Sequence, residues 1–328
     1  MRIVPLRPVR LVAAVAEHPA VRVTNRTIET LVDTADEWIV SHTGIRERRV
    51  SEPTMAVAEL GARAVAKALA AVGWERNEID LLVCSSSVAD HLIPSVASGI
   101  SGRLGVDVPA FTVNASCAGA SYALAVATAL AAQSSVKRIC VSAAEKTSLM
   151  VDWTDRANCI FFGDSAAATL LEVESVGSGI ELVDAELLGE GDGWDKMALP
   201  FGGKFRQDGR AALEFAVRGT VEVASRLLDR NGLSGEQVRA FLCHQANERL
   251  IATSAEKLGI EEAATDWHNY EWAGNQLSAG MLTALADGLE RHRGELRDGD
   301  VILLTQVGGG WVAGGILGVW REGASRPA

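Results

Sequence analysis

Three residues of this sequence are of types that do chemistry, and each stands where an apolar run gives way to a helical one. Cys117 lies in "FTVNASCAGASYAL". A thiol at such a joint feels the positive end of the helix dipole and nearby backbone N–H groups, which favours the nucleophilic thiolate. Asn114 and Ser116 are candidate caps, and the small Ala118, Gly119 and Ala120 leave the sulfur approachable. Taken alone, the residue reads first as a buried thiol filling core. His244 follows "RAFLC", and an imidazole at a strand end is either a general base or donor in a cleft, or a structural histidine. Asn275 in "EWAGNQLSAG" is either a side-chain donor or a helix cap.

Strands must end, and helices begin, at these points. Val-, Ile- and Leu-rich runs at "IDLLVCSSS", "AFTVN", "RICVSAA", "RAFLCH" and "VILLTQV" read as strands. They alternate with helical patterns at "TMAVAELGARAVAKALAAVG", "AGASYALAVATALAAQ", "LEFAVRGTVEVASRLLDRNG", "NERLIATSAEKLG" and "SAGMLTALADGLERHRG", several ending at a glycine that suits a left-handed cap. The alternation predicts a layered α/β fold. The glycine-rich "LLGEGDGWDKMALPFGGKF" reads as a loop between halves, preceded by a strand pair "CIFF" and "AAATLLEV". That places a boundary after residue 173, giving an N-terminal half 1–173 with the cysteine and a C-terminal half 174–328 with the histidine and asparagine. The second glycine-rich stretch, "VGGGWVAGG", reads as a tight strand connection near a ligand.

Of 328 residues, 48% are hydrophobic, enough for a large core in two domains or one doubled domain. A formal charge of -11 argues against nucleic acid or an anionic membrane as partner, since either would be repelled by the average surface. The five cysteines have no paired spacing, which predicts a reducing, cytoplasmic setting without disulfides or a zinc site. No run approaches the ~18 apolar residues of a membrane span, and "LVAAVA" is too short for a signal segment. No G-x-G-x-x-G follows the first strand, so a nicotinamide enzyme is disfavoured.

In order, "DTADEWIVSHTGIRERRV", "NASCAGASYALAVA", "TDRANCIFFGDSAAA", "HQANERLI", "GNQLSAG" and the terminal "GGG" resemble the signatures of β-ketoacyl-acyl carrier protein synthase III, over residues 30 to 320. The resemblance implies the thiolase fold, two similar halves in a five-layer α-β-α-β-α arrangement, in a homodimer. It implies that Cys117 takes an acyl group from acyl-CoA or a carrier thioester, and that His244 and Asn275 then assist decarboxylative condensation with a malonyl thioester. The backbone N–H groups of Cys117 and Gly309 are its implied oxyanion donors. Trp38 and Arg156 match the pair that sandwiches the CoA adenine, and Arg249 matches a cation at the tunnel mouth that receives phosphopantetheine. Acyl-CoA and malonyl thioester are substrates; no cofactor or metal is implied.

Departures from the pattern point to an unusual pocket and partner. His42 stands where an Arg is usual, and Glu222 and Glu256 replace lysines that face an acidic carrier protein, weakening a basic docking patch. Val307 replaces a Phe, and Ala120 and Ser121 replace a Phe and a Thr. Gln276 and Leu277 follow Asn275 where small residues are common, and Ile93 in "ADHLIPSVA" replaces a Phe that a partner subunit would present. These changes reshape the expected pocket and suggest a specialised, polyketide-like pathway. The alternative is acyl transfer from Cys117 to a hydroxyl or amine without carbon–carbon bond formation, a chemistry in which relatives tend to place Asp rather than Asn beside the histidine. A catalytically silent subunit is disfavoured by the intact Cys117.

Overall fold

A computed structural model describes residues 1–323. One continuous ten-stranded sheet carries the frame. Its strands in chain order are β1 (Val9–Glu17), β2 (Leu81–Ser85), β3 (Ala110–Val113), β4 (Arg138–Glu145), β5 (Ser165–Val173), β6 (Gly179–Gly189), β7 (Val238–Leu242), β8 (Val301–Gly308) and β9 (Val312–Arg321), with Arg2–Ile3 pairing β6. The helices that matter here are α1 (Asp36–Thr43), α2 (Val57–Val72), α3 (Val96–Leu104), α4 (Gly119–Leu130), α5 (Gly209–Arg230), α6 (Glu248–Leu258) and α7 (Ala279–His292).

Across the sheet the order is β7-β8-β9-β6-β1-β5-β4-β2-β3. The strands therefore fall into two series wound alike. In the first, β2 runs parallel to β4, β4 antiparallel to β5, and β5 antiparallel to β1. In the second, β7 runs parallel to β8, β8 antiparallel to β9, and β9 antiparallel to β6. Edge strand β3 extends the first series alone. The series meet where β1 and β6 pair from Val9 opposite Leu182 to Leu11 opposite Ile180.

Strand periodicity sets the layers, because alternate side chains leave opposite faces. Leu81 and Val83 of β2 pack with Ile302 and Leu304 of β8 around a central layer made by α4 and α7, through Ala120, Leu124, Ala279 and Leu282. Leu82 and Cys84 face the other way onto α2 and α3. Leu303 and Val307 face outward onto α5 and α6. This is the five-layer thiolase fold. The alanines of α4 let the two strand series of the sheet close on one helix layer, and the fully buried Leu124 and Leu282 each add about 1.5–3 kcal/mol of apolar burial.

Several local expectations are corrected. "CIFF" is no strand: Arg156–Cys159 is a helical turn, and Phe162 only bridges Asn275. The strand "GIELVDAELLG" runs into the glycine-rich stretch, so the loop expected there begins only at Glu190, after β6. No helix of the described residues is long and apolar enough to cross a membrane.

Candidate active site

Cys117 sits in the tight passage from β3 into α4. Asn114 Oδ1 accepts the Ser116 N–H at 3.1 Å, so this side chain shapes the turn and does not cap the helix, whose N-cap position is Ala118. Ser116 has φ of +49°, a left-handed conformation that a non-glycine residue adopts at a cost of roughly 1 kcal/mol or more. The turn presents Cys117 almost wholly buried, 5% exposed. Behind it stands the end of β8. A Cβ on Gly308 would lie 2.8 Å from the Cys117 nitrogen and 2.9 Å from that of Ala118, so glycine is required by close approach. Gly308→Ala is accordingly expected to push the nucleophile turn aside and slow acyl uptake about 100-fold, read by the rate of acyl adduct formation.

The thiolate expected from the helix position is not what burial allows. The thiol is pushed up to about 12, first by desolvation and then by the nearby Glu145 carboxylate, while its own backbone N–H works the other way. A helix end offers about half a charge and cannot offset loss of water around a full one. At rest Cys117 is a neutral thiol, and any attack by its sulfur requires loss of that proton.

His244 stands two residues past the end of β7, and Asn247 caps α6 through its Oδ1 on Leu250 N–H at 2.9 Å. Burial lowers the imidazole to about 4, and its Nδ1 has no hydrogen-bond partner. With its folded value below the ordinary 6.5, His244 stays neutral as pH falls from 8 to about 5. A His244-dependent step is therefore expected to hold its rate through that window, where an unperturbed histidine would switch charge; a pH profile of carbon dioxide release checks this.

Asn275 is held by backbone on both sides. Its N–H donates to Phe161 O at 2.8 Å and its carbonyl accepts Gly163 N–H at 3.0 Å. Gly274 before it has φ of +71°, and a Cβ there would lie 2.6 Å from Phe161 O. The side-chain Oδ1 accepts Leu277 N–H at 3.0 Å, which leaves the amide NH2 as the free end. Asn275 thus caps no helix with its side chain.

Cys117, His244 and Asn275 line one cavity of about 410 Å³, with Val307 and Gly308 beside them. Its walls carry Phe161, Phe162, Phe205 and Phe215, and its mouth carries Trp38, His42, Arg156 and Arg249. The Arg156 guanidinium lies 4.7 Å from the Trp38 ring centre, and the His42 ring stacks on Trp38 at 4.2 Å. The Nδ1–H of His42 donates to Trp38 O at 2.7 Å. Arg156 rests directly on Trp38, so a base enters between them only by displacing the guanidinium.

Cys117 also lines a second cavity of about 810 Å³, together with Leu277, Gly309, Ser87, Val88 and Leu92. Ile93, next in the chain to Leu92, is 87% exposed and does not line either cavity, contrary to the pocket role expected for it. Three departures prove irrelevant to pocket shape. Ala120 and Ser121 are packed in the core, and Gln276 joins a buried network, donating to Asn269 Oδ1 and accepting from Thr283 Oγ1, both at 2.9 Å. Of the phenylalanine walls, Phe161 and Phe162 were carried by "CIFF" and Phe205 by the glycine-rich stretch, where apolar side chains in turns were the available signal, while Phe215 lies on α5.

The chain is similar to known proteins of one family. The 3-oxoacyl-[acyl-carrier-protein] synthase III family matches residues 111–191, and its C-terminal family matches 228–320. A β-ketoacyl-[acyl-carrier-protein] synthase III of Allorhizobium ampelinum is 36% identical over 312 residues, covering 90% of this chain and 94% of that one. The solved 3-oxoacyl-[acyl-carrier-protein] synthase III of Aquifex aeolicus superposes with a TM-score of 0.89 at 32% identity, over 95% of this chain and 99% of that one. The priming β-ketosynthase of the R1128 polyketide pathway superposes with a TM-score of 0.88 at 28% identity, over 98% and 99%.

Proposed function

This chain belongs to the 3-oxoacyl-[acyl-carrier-protein] synthase III family, and on that premise we propose that it is a decarboxylative condensing enzyme of the acyltransferase class. Cys117 sulfur attacks the thioester carbonyl of an acyl-CoA, the thiol proton leaves with the CoA sulfur, and an acyl-cysteine remains. The backbone N–H groups of Cys117 and Gly309 receive the oxyanion. A malonyl thioester then loses its carboxylate as CO2, and the electrons of that bond become an enolate. The neutral His244 and the Asn275 amide donate to its oxygen. The enolate carbon attacks the acyl-cysteine, forming the carbon–carbon bond, and the released sulfur regains a proton.

The observation that carries the reading is the meeting of a buried thiol, a neutral imidazole and a free carboxamide NH2 in one apolar-walled cavity. Two neutral donors stabilise developing negative charge there without holding the malonyl carboxylate in place. The second reading, transfer to a hydroxyl or amine, needs His244 as a base. An imidazole lowered to about 4, with Nδ1 facing no carboxylate, is poorly suited to that task. Incubation with acyl-CoA and then with malonyl thioester, alcohols or amines tests the reading: a β-ketoacyl product supports it, and an ester or amide alone overturns it.

Trp38, Arg156 and Arg249 are the proposed contacts for CoA and phosphopantetheine. Outside the mouth, a groove between α5 and α6 carries Glu214, Glu222, Arg249, Lys257 and Arg218, the last already paired with Glu190. Glu222 already pairs with Arg226 at 2.6 Å, so a carrier protein would meet a weakened basic patch. The pathway reading narrows. With Ala120, Ser121 and Gln276 outside the cavities, the relatives' printed activity supports a priming role on a carrier-protein pathway of the fatty-acid kind, and Val307 remains the main support for a specialised one. Five unpaired cysteines support a cytoplasmic setting. The exposed Leu92, Ile93 and Phe201 beside the second cavity support a homodimer that covers them. Light scattering is expected to give the mass of two chains; the mass of one contradicts the dimer.

A further inference from the structure

Two buried polar side chains, one from each strand series, converge on the residue that starts α7. Glu145, the last residue of β4, is fully buried and has no cationic partner among the described residues. Its carboxylate accepts the Ser278 hydroxyl at 2.6 Å, Ser87 N–H at 3.0 Å and Val88 N–H at 3.3 Å. Gln306 on β8 is also fully buried. Its Nε2 donates to Ser278 O at 2.9 Å, and its Oε1 accepts Ser121 N–H at 3.0 Å.

Ser278 is therefore held through its hydroxyl from the first series and through its carbonyl from the second. By the same glutamine it is tied to the helix that follows Cys117. A Cβ on Gly119 would lie 3.5 Å from Ser278 Cβ, so α4 begins against this residue. Three residues back stands Asn275, joined to Ser278 through Leu277, whose φ of +49° is a strained value for leucine. A short strained link transmits any shift of Ser278 to the Asn275 amide. A half-satisfied buried network would be costly, and this one satisfies both carboxylate oxygens and both ends of the glutamine amide.

We infer that Glu145 and Gln306 are positioning residues that act through Ser278 to fix the Asn275 amide for the decarboxylation half-reaction. The inference rests on the condensing reading above. It differs from a general structural role because the two half-reactions should separate: Cys117 is placed mainly by its own turn and Gly308, whereas the Asn275 side chain, whose backbone is fixed by Phe161 and Gly163, is oriented by its Oδ1 on the N–H of Leu277, the neighbour of the clamped Ser278.

The test uses Ser278→Ala, Ser278→Thr and the near-isosteric Glu145→Gln in the full chain. Acyl uptake by Cys117 should stay within about threefold of the parent. It should be no slower in Glu145→Gln, since the lost negative charge opposes the thiolate. Carbon dioxide release from malonyl thioester should fall about tenfold or more in kcat at unchanged KM for Ser278→Ala and Glu145→Gln, and Ser278→Thr should return it to within about threefold. Parallel loss of both half-reactions, or decarboxylation kept within threefold, overturns the inference. A parent enzyme that takes up acyl groups but releases no carbon dioxide overturns the condensing reading instead. A crystal structure of Ser278→Ala then decides the clamp: a displaced Asn275 amide supports it, and an Asn275 in the parent position overturns it.

Discussion

Cys117→Ala is expected to take up no acyl group from any acyl-CoA and to lose condensation by roughly 10⁴-fold or more, the scale on which enzymes lose rate with their nucleophile. The case rests on position. Cys117 alone among the five cysteines lines both cavities, while Cys84, Cys140, Cys159 and Cys243 are wholly buried and line neither. The variant should remain folded, because removing one sulfur from a 5% exposed site deletes few contacts and leaves the Ser116 turn and the Gly308 contact intact. Intact mass and a melting curve on the same sample check both halves of the statement. Acyl uptake at the parent rate would remove Cys117 from the mechanism.

Asn275→Ala has the second largest expected effect and is selective. Its amide NH2 is the free end, so on the condensing reading alanine removes one of two proposed donors to the enolate oxygen, and such a loss typically costs about 2.7–4 kcal/mol, or 10²–10³-fold in decarboxylation. The same change also strips Leu277 N–H of its acceptor, for about 1 kcal/mol of stability. Acyl uptake should survive, because Cys117 is held by other contacts. Asn275→Asp should do no better: a carboxylate in that place repels the enolate and favours a charged His244. Carbon dioxide release measured beside acyl uptake separates the two; full decarboxylation in Asn275→Ala would take this residue out of the reaction.

The helices were legible because their signals are local. The alanine-rich runs are long, and α2 and α6 stop at Gly73 and Gly259, whose φ values of +70° and +65° suit only a glycine comfortably. Strand β6 was hidden by Glu181, Asp184 and Glu186, charges that look wrong for a sheet until Arg226 and Arg230 are seen to meet two of them from α5. Strand β1 was masked by its setting among prolines and arginines at the N-terminus. The proposed trio of Cys117, His244 and Asn275 was legible as residue types near strand and helix ends, and its meeting in one cavity was not. Nor were its electrostatics. Whether a helix dipole or burial governs a thiol depends on what packs over it, and the elements that bury Cys117 come from Leu277, Met197 and Phe205, far away in sequence. The Glu145–Ser278–Gln306 contact spans both series and leaves no local trace.

The most direct test of the account is intact mass of the parent protein through a chase. After incubation with acyl-CoA donors of graded chain length, the account predicts a single acyl adduct on the peptide containing Cys117. Addition of malonyl thioester should discharge it with one carbon dioxide released per adduct lost. An adduct on another residue, or one discharged by alcohols or amines and unaffected by malonyl thioester, would contradict it.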